Sequence, residues 1–129
     1  MISVLEIFVI LFVHWYADFA LQTHWQATNK SKDNLALTLH VTTYSLSWIG
    51  PIAVLLYYYS NDVYSAILFG FIFSVITFCV HWIIDYFTSR LNTKLWFKND
   101  MHNFFVSVGF DQFLHFVQLF ITYIILKTL

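Results

Sequence analysis

The sequence predicts an all-α fold: a polytopic integral membrane protein whose four spans form an up-down bundle in one domain, residues 1–129. Three observations carry this. Sixty per cent of the residues are hydrophobic and 10% are charged, against about 25% charged in a soluble chain. Mean hydropathy is +0.70. The apolar residues fall into four stretches of helix length separated by short polar connections. A chain this small has too much surface to bury so much apolar area in water. In lipid the backbone must satisfy its own hydrogen bonds, which selects helices.

The first stretch runs over about residues 2–22. It lacks a basic leader and a small-residue cleavage pattern, and it holds His14 and Asp18, so it reads as a retained span. A polar connection with Lys30, Lys32 and Asp33 follows. The second span covers about 35–58, and Gly50-Pro51 predicts a kink in its outer half because proline removes a backbone donor. Ser60-Asn61-Asp62 makes a tight turn into the third span, about 63–89. Arg90 to Asp100, with Arg90, Lys94 and Lys98, leads to the fourth, about 103–126. Short connections make successive helices antiparallel neighbours.

Five of the six Lys and Arg residues lie in the first and third connections. The positive-inside rule puts that end in the cytoplasm, with both termini and the Asn61-Asp62 turn outside. Tyr57, Tyr58, Tyr59 and Tyr64 at one end, and Trp25 and Trp96 at the other, suit interfacial belts. A formal net charge of −1 leaves no basic footprint for nucleic acid, and the single cysteine, Cys79, excludes a disulfide framework.

Ionisable residues inside the spans are the informative ones, because each costs about 2.5–3.5 kcal/mol at mid-span and usually faces the bundle interior. These are His14, Asp18, His40, His81, Asp85, Asp111 and His115. Three pairs share a four-residue spacing: His14/Asp18, His81/Asp85 and Asp111/His115. Such pairs stack on one helix face. Chance placement of the six His and six Asp residues gives roughly 0.6 such pairs. Given the alternating helix directions, every carboxylate lies nearer the cytoplasm than its imidazole. Asp18, Asp85 and His40 each fall about four or five residues from a cytoplasmic helix end, roughly 6–8 Å deep. Asp111 joins that layer if its helix begins with a turn in the interface.

Imidazole nitrogen and carboxylate oxygen suit Zn²⁺, with Mn²⁺ or Fe as alternatives. Four His and three Asp exceed one tetrahedral site and match a carboxylate-bridged centre of one or two divalent ions. The seven residues are therefore the candidate ligands. Asp18, Asp85 and Asp111 are equally candidates for the catalytic base, because nothing separates ligand from base. Gln22 and Gln112 are supporting or substrate contacts, and Lys30 and Arg90 are rim cations able to hold a phosphate ester. Glu6, near the other membrane face, is expected to turn outward, and His24 and His102 to lie exposed.

His14-Trp-Tyr-Ala-Asp18-Phe-Ala-Leu-Gln22, continuing through Ala27 and Lys30 to His40, resembles a family of small bacterial and phage membrane proteins, domain of unknown function 3307. His81-x-x-x-Asp85 and Asp111-Gln112-x-x-His115 extend the resemblance over nearly the whole chain. It implies the helical membrane fold and the shared polar residues, and it brings no established activity. A looser similarity is to membrane-bound metal-dependent hydrolases and to all-helical zinc phospholipases and nucleases, which also place His and a carboxylate four apart.

The leading expectation is a metal-dependent hydrolase acting on a lipid or lipid-linked ester or phosphoester. The same residues could serve a transporter or channel for a metal ion or proton, or a non-catalytic membrane module of a phage or bacterium. An outer half poor in inward polar residues favours chemistry at one face over transport. Partners are the bilayer and a lipid-type substrate, with self-association compatible with the sequence.

Overall fold

A computed structural model describes residues 1–129. It is all-helical: α1 (Val4–Trp15), a π-helical turn (Tyr16–Ala20), α2 (His24–Asn29), α3 (Asn34–Leu46), α4 (Ile49–Ser60), α5 (Val63–Phe97) and α6 (Met101–Thr128). Three helices are long and apolar enough to cross a membrane: Asn34–Ser60, which joins α3 and α4, then α5 and α6. The first stretch is shorter, with 12 α-helical residues followed by five in the π turn.

Each start has a local cause. Ser3 caps α1 in a reciprocal box with Glu6, and Thr23 caps α2 in the same way with Gln26. Asp33, Asp62 and Asp100 cap α3, α5 and α6. The break between α3 and α4 falls at Ser47–Trp48, just before Gly50-Pro51. Pro51 is the third residue of α4, where a missing backbone N–H leaves no bond unmade, and its ring crowds the carbonyl four residues back at Ser47.

Two helices extend beyond the apolar stretches that predict them. α5 does not stop near Ser89 but runs to Phe97, and α6 starts at Met101. Polar residues after Ser89 mark departure from apolar surroundings, but none of them breaks a helix; termination waits for Asn99, whose φ of 53° is left-handed. Asp85 is therefore twelve residues, about 18 Å, from the end of its helix, and Asp111 ten residues, about 15 Å, from the start of its own. The α5–α6 hairpin projects well past both.

α5 is the central element and packs against α3, α4 and α6, while α1 packs against α4 and α6. An apolar core of Ile10, Tyr44, Trp48, Ile52, Phe73, Leu119 and Tyr123 fills the middle of the molecule. Gly70 lets α5 approach α4 closely: a Cβ there would lie 2.7 Å from the Ile49 carbonyl oxygen. The outward faces carry large exposed apolar side chains, among them Phe8, Leu68, Phe71, Val75, Phe87, Phe105 and Ile121. That pattern suits lipid rather than water.

Candidate metal centre

The polar residues converge where α1, α3, α5 and α6 meet. His14, Asp18, His40, His81, Asp85 and His115 are all buried, and Asp111 is half-buried. The π turn delivers Asp18: Leu21 N–H bonds back five residues to the Tyr16 carbonyl at 3.0 Å, widening the helix where the aspartate turns inward.

Two groups of ligand-type atoms form. Asp18, His40, His81 and Asp85 offer atoms lying within 4.8 Å of one another, as do Asp85, Asp111 and His115. Asp85 belongs to both. Its Oδ2 lies 3.5 Å from the Nε2 of His40 and of His81, while its Oδ1 lies 3.1 Å from His115 Nε2. Asp18 Oδ1 is 3.1 Å from His40 Nε2, and Asp111 Oδ1 is 3.5 Å from His115 Nε2. One carboxylate thus turns its two oxygens toward two ligand sets, each of which could hold a divalent ion.

His81 supplies the sharpest fit test. It is fully buried, and neither ring nitrogen has a hydrogen-bond partner. Each unsatisfied buried polar atom costs about 1–3 kcal/mol, and a cation accepting an imidazole lone pair removes that cost at one of them. Charge agrees. With the imidazoles neutral, Asp18, Asp85 and Asp111 face one ammonium, Lys30, leaving two negative charges that a divalent ion would balance. The donor set fits Zn²⁺, Mn²⁺ or Fe.

His14 is set apart from the other candidate ligands. Its Nδ1 lies 2.7 Å from the Tyr44 hydroxyl and its Nε2 2.8 Å from Gln112 Oε1, with Asp18 at 3.9 Å. Gln112 donates through Nε2 to Asp111 at 3.0 Å and to Asp18 at 3.5 Å, which turns its carbonyl to His14. His14 thus donates from Nε2 and accepts from Tyr44 at Nδ1. Both nitrogens being engaged, it belongs to neither ligand group and orients their neighbours.

Lys30 reaches from the rim into the centre. Its ammonium donates to Asp85 Oδ2 at 2.9 Å and sits 3.4 Å from His40 Nε2. Burial pulls its pKa down, but the Asp85 and Asp18 carboxylates outweigh that and hold it above the ordinary lysine value. Arg90, expected beside it, stacks on Tyr86 and donates to the Tyr86 carbonyl and Asn34 Oδ1, away from the centre. The Asn34 bond ties α5 to the start of α3. Gln22 makes no bond to the centre, and its Oε1 is buried without a partner.

Two contributors were not singled out from the sequence. Tyr44 is fully buried, with its ring 4.0 Å from that of His81. Thr88 donates to Asp111 Oδ1 at 2.5 Å. Tyr44 follows His40 by four residues and Thr88 follows Asp85 by three, so the face-sharing rule that found the ligands would have found them.

The family model described as Protein of unknown function (DUF3307) matches residues 7–129. The chain belongs to this family. The expected membership therefore holds, and Asp18, His40, His81, Asp85, Asp111 and His115 all lie inside the region shared with it. No curated protein and no solved structure matches the chain.

The opposite end corrects one expectation. Glu6 does not turn outward but is 1% exposed. It accepts from Tyr123 and, at 2.6 Å, from Lys127, whose ammonium also lies over the Tyr59 ring. A partner waiting at the end of α6 made burial cheaper than snorkelling. His24 and His102 are exposed, as expected.

Proposed function

We propose that this DUF3307 protein is a four-span up-down bundle in a bacterial inner membrane whose two-metal centre hydrolyses a lipid or lipid-linked phosphoester. The Lys- and Arg-rich end faces the cytoplasm, and both termini lie outside. The observation that carries the reading is the shared Asp85 between two ligand groups, beside a buried His81 with no other partner. Bound divalent ions, Zn²⁺ foremost, would supply a nucleophilic water at neutral pH and charge stabilisation of the leaving oxygen. Asp18, His40, His81 and Asp85 would hold one ion, and Asp85, Asp111 and His115 the other. Asp111 is the least buried of the three carboxylates, with a 13% exposed side chain, which makes it the best placed to take a proton from incoming water. Gln112 and Thr88 fix its orientation.

Metal analysis of detergent-purified protein tests this directly, alongside phosphoester hydrolysis by the same sample. The expectation is stoichiometric metal that falls in His81→Ala and Asp85→Ala. Protein that takes up no stoichiometric metal after loading would refute it.

A second reading, ion or proton transport, gains support from the outer half of the bundle, which is richer in buried polar groups than expected. Gln118 donates to Thr77 and Thr122 at 3.1 and 3.2 Å, and the Glu6–Tyr123–Lys127 group lies beyond. Both groups of metal-ligand atoms lie at one end of the bundle, so hydrolysis is preferred. Liposome flux lost in both Asp85→Asn and Glu6→Gln would reverse that ranking.

A further inference from the structure

A cavity of about 580 Å³ opens beside the centre, between α2 with its following turn and the projecting α5–α6 hairpin. Lys30 and Lys32 line it from the turn after α2, Ser89, Asn92 and Trp96 from α5, and Phe104 from α6. No acidic residue borders it. Lys32 makes no ion pair. Ser89 Oγ and Asn92 Oδ1 are buried without partners, and these residues stand three apart on one face of α5. Two ammoniums and an uncommitted hydroxyl around a space free of carboxylates make an anion site, in which Asn92 Oδ1, an acceptor, meets only a protonated phosphate oxygen, and the aromatic residues give it an apolar side.

Lys30 belongs to this cavity and to the centre at once. The two atoms its ammonium meets, Asp85 Oδ2 and His40 Nε2, are on residues of the first ligand group. A divalent ion taken up there needs the lone pairs that Lys30 occupies. Charge runs the same way: two divalent ions against three carboxylates leave a positive excess, to which Lys30 adds.

We propose that the cavity is a phosphate-binding subsite coupled to metal loading through Lys30, which caps the centre when metal is absent and turns into the cavity beside Lys32 when metal binds. The proposal rests on the metal reading above and adds to it the substrate's charged group and its place. The ligand is a phosphate oxyanion, whether free or on a lipid headgroup. Coupling of this kind is reciprocal, so phosphate should tighten metal binding by the same factor that metal tightens phosphate.

Calorimetry on the full chain in uncharged detergent tests it, with Zn²⁺ alone, inorganic phosphate, and dihexanoyl phosphatidic acid as probes. Zn²⁺ loading should tighten phosphate or phosphatidic acid binding about tenfold. Binding of both probes assigns a general phosphate site, and binding of phosphatidic acid alone assigns the lipid headgroup. Lys30→Met should bind Zn²⁺ more tightly than the parent and lose the metal-dependent gain. Lys32→Met, an exposed change with little folding risk, should weaken anion binding while leaving Zn²⁺ affinity unchanged. Zn²⁺ binding with anion affinity indifferent to metal or to Lys32 would overturn the coupled subsite and leave the metal centre standing. Failure of the parent to bind Zn²⁺ would overturn both, and weaker Zn²⁺ binding by a folded Lys30→Met would show that Lys30 supports the ion instead of yielding to it.

Discussion

Asp85 concentrates the chemistry of the centre in one side chain. Because Oδ2 faces His40 and His81 while Oδ1 faces His115, the proposed two-metal centre requires that Asp85→Asn lower metal uptake at both ligand groups and Asp111→Asn at one. Metal-to-protein ratios by elemental analysis separate the two outcomes, and equal losses would contradict the bridging role. Tyr44 acts through His14 instead. Tyr44→Phe deletes the hydroxyl at His14 Nδ1 and leaves that buried nitrogen unpaired, which should cost about 1–3 kcal/mol, read by denaturant or thermal unfolding in detergent. The candidate ligands were legible from residue type and four-residue spacing. The division of labour among them was not, since a local spacing rule says nothing about which imidazole meets another helix's polar group first.

Helix contacts set the next level. At Gly70, α5 runs so close to α4 that a methyl group would meet the Ile49 carbonyl, and a rigid backbone cannot yield as a side-chain tip can. Gly70→Ala should therefore destabilise by about 1–3 kcal/mol. Gly109→Ala, with nothing within 4 Å of the new Cβ, should be neutral or stabilise α6 by up to about 1 kcal/mol. Paired melting curves check the contrast. The caps respond to pH. Asp62 titrates below the ordinary aspartate value of 3.8, held there by the Ser65 hydroxyl and the Tyr64 N–H. Its depressed folded pKa means that the stabilisation is present above the unfolded value and is lost as pH falls through the folded one. Amide exchange at Tyr64 and Ser65 should accordingly rise relative to mid-helix amides below about pH 4, and Asp62→Ala should remove that response. Element existence followed from composition and apolar run length. The ends of α5 and α6 did not, because leaving an apolar run and ending a helix have different physical causes.

For the molecule as a whole, buried ionisable groups lie at two ends of the bundle, with the apolar core and the Gln118–Thr77–Thr122 bonds between them. The Glu6–Tyr123–Lys127 group ties α1 to the end of α6. Glu6→Ala should destabilise by about 1–3 kcal/mol, by leaving Tyr123 and Lys127 without their acceptor. Because the group lies at the far end from Asp85, metal stoichiometry should be unchanged. Unfolding and elemental analysis of one preparation measure both. Metal loss in this variant would mean that the two ends communicate through the core.

Residue type and spacing alone determined the helical, membrane-compatible class, the inward stripes of His and Asp, and their suitability for divalent ions. These follow from solvation cost and a 3.6-residue period, both local properties. Only the tertiary structure decided that Asp85 joins two ligand sets, that Lys30 caps the centre while Arg90 does not, and that Glu6 is buried against Lys127. Such pairings depend on the rotation and axial offset of one helix against another. Packing of whole faces sets those quantities, as at Gly70 and the π turn before Leu21, and they leave no trace in the spacing along any single helix.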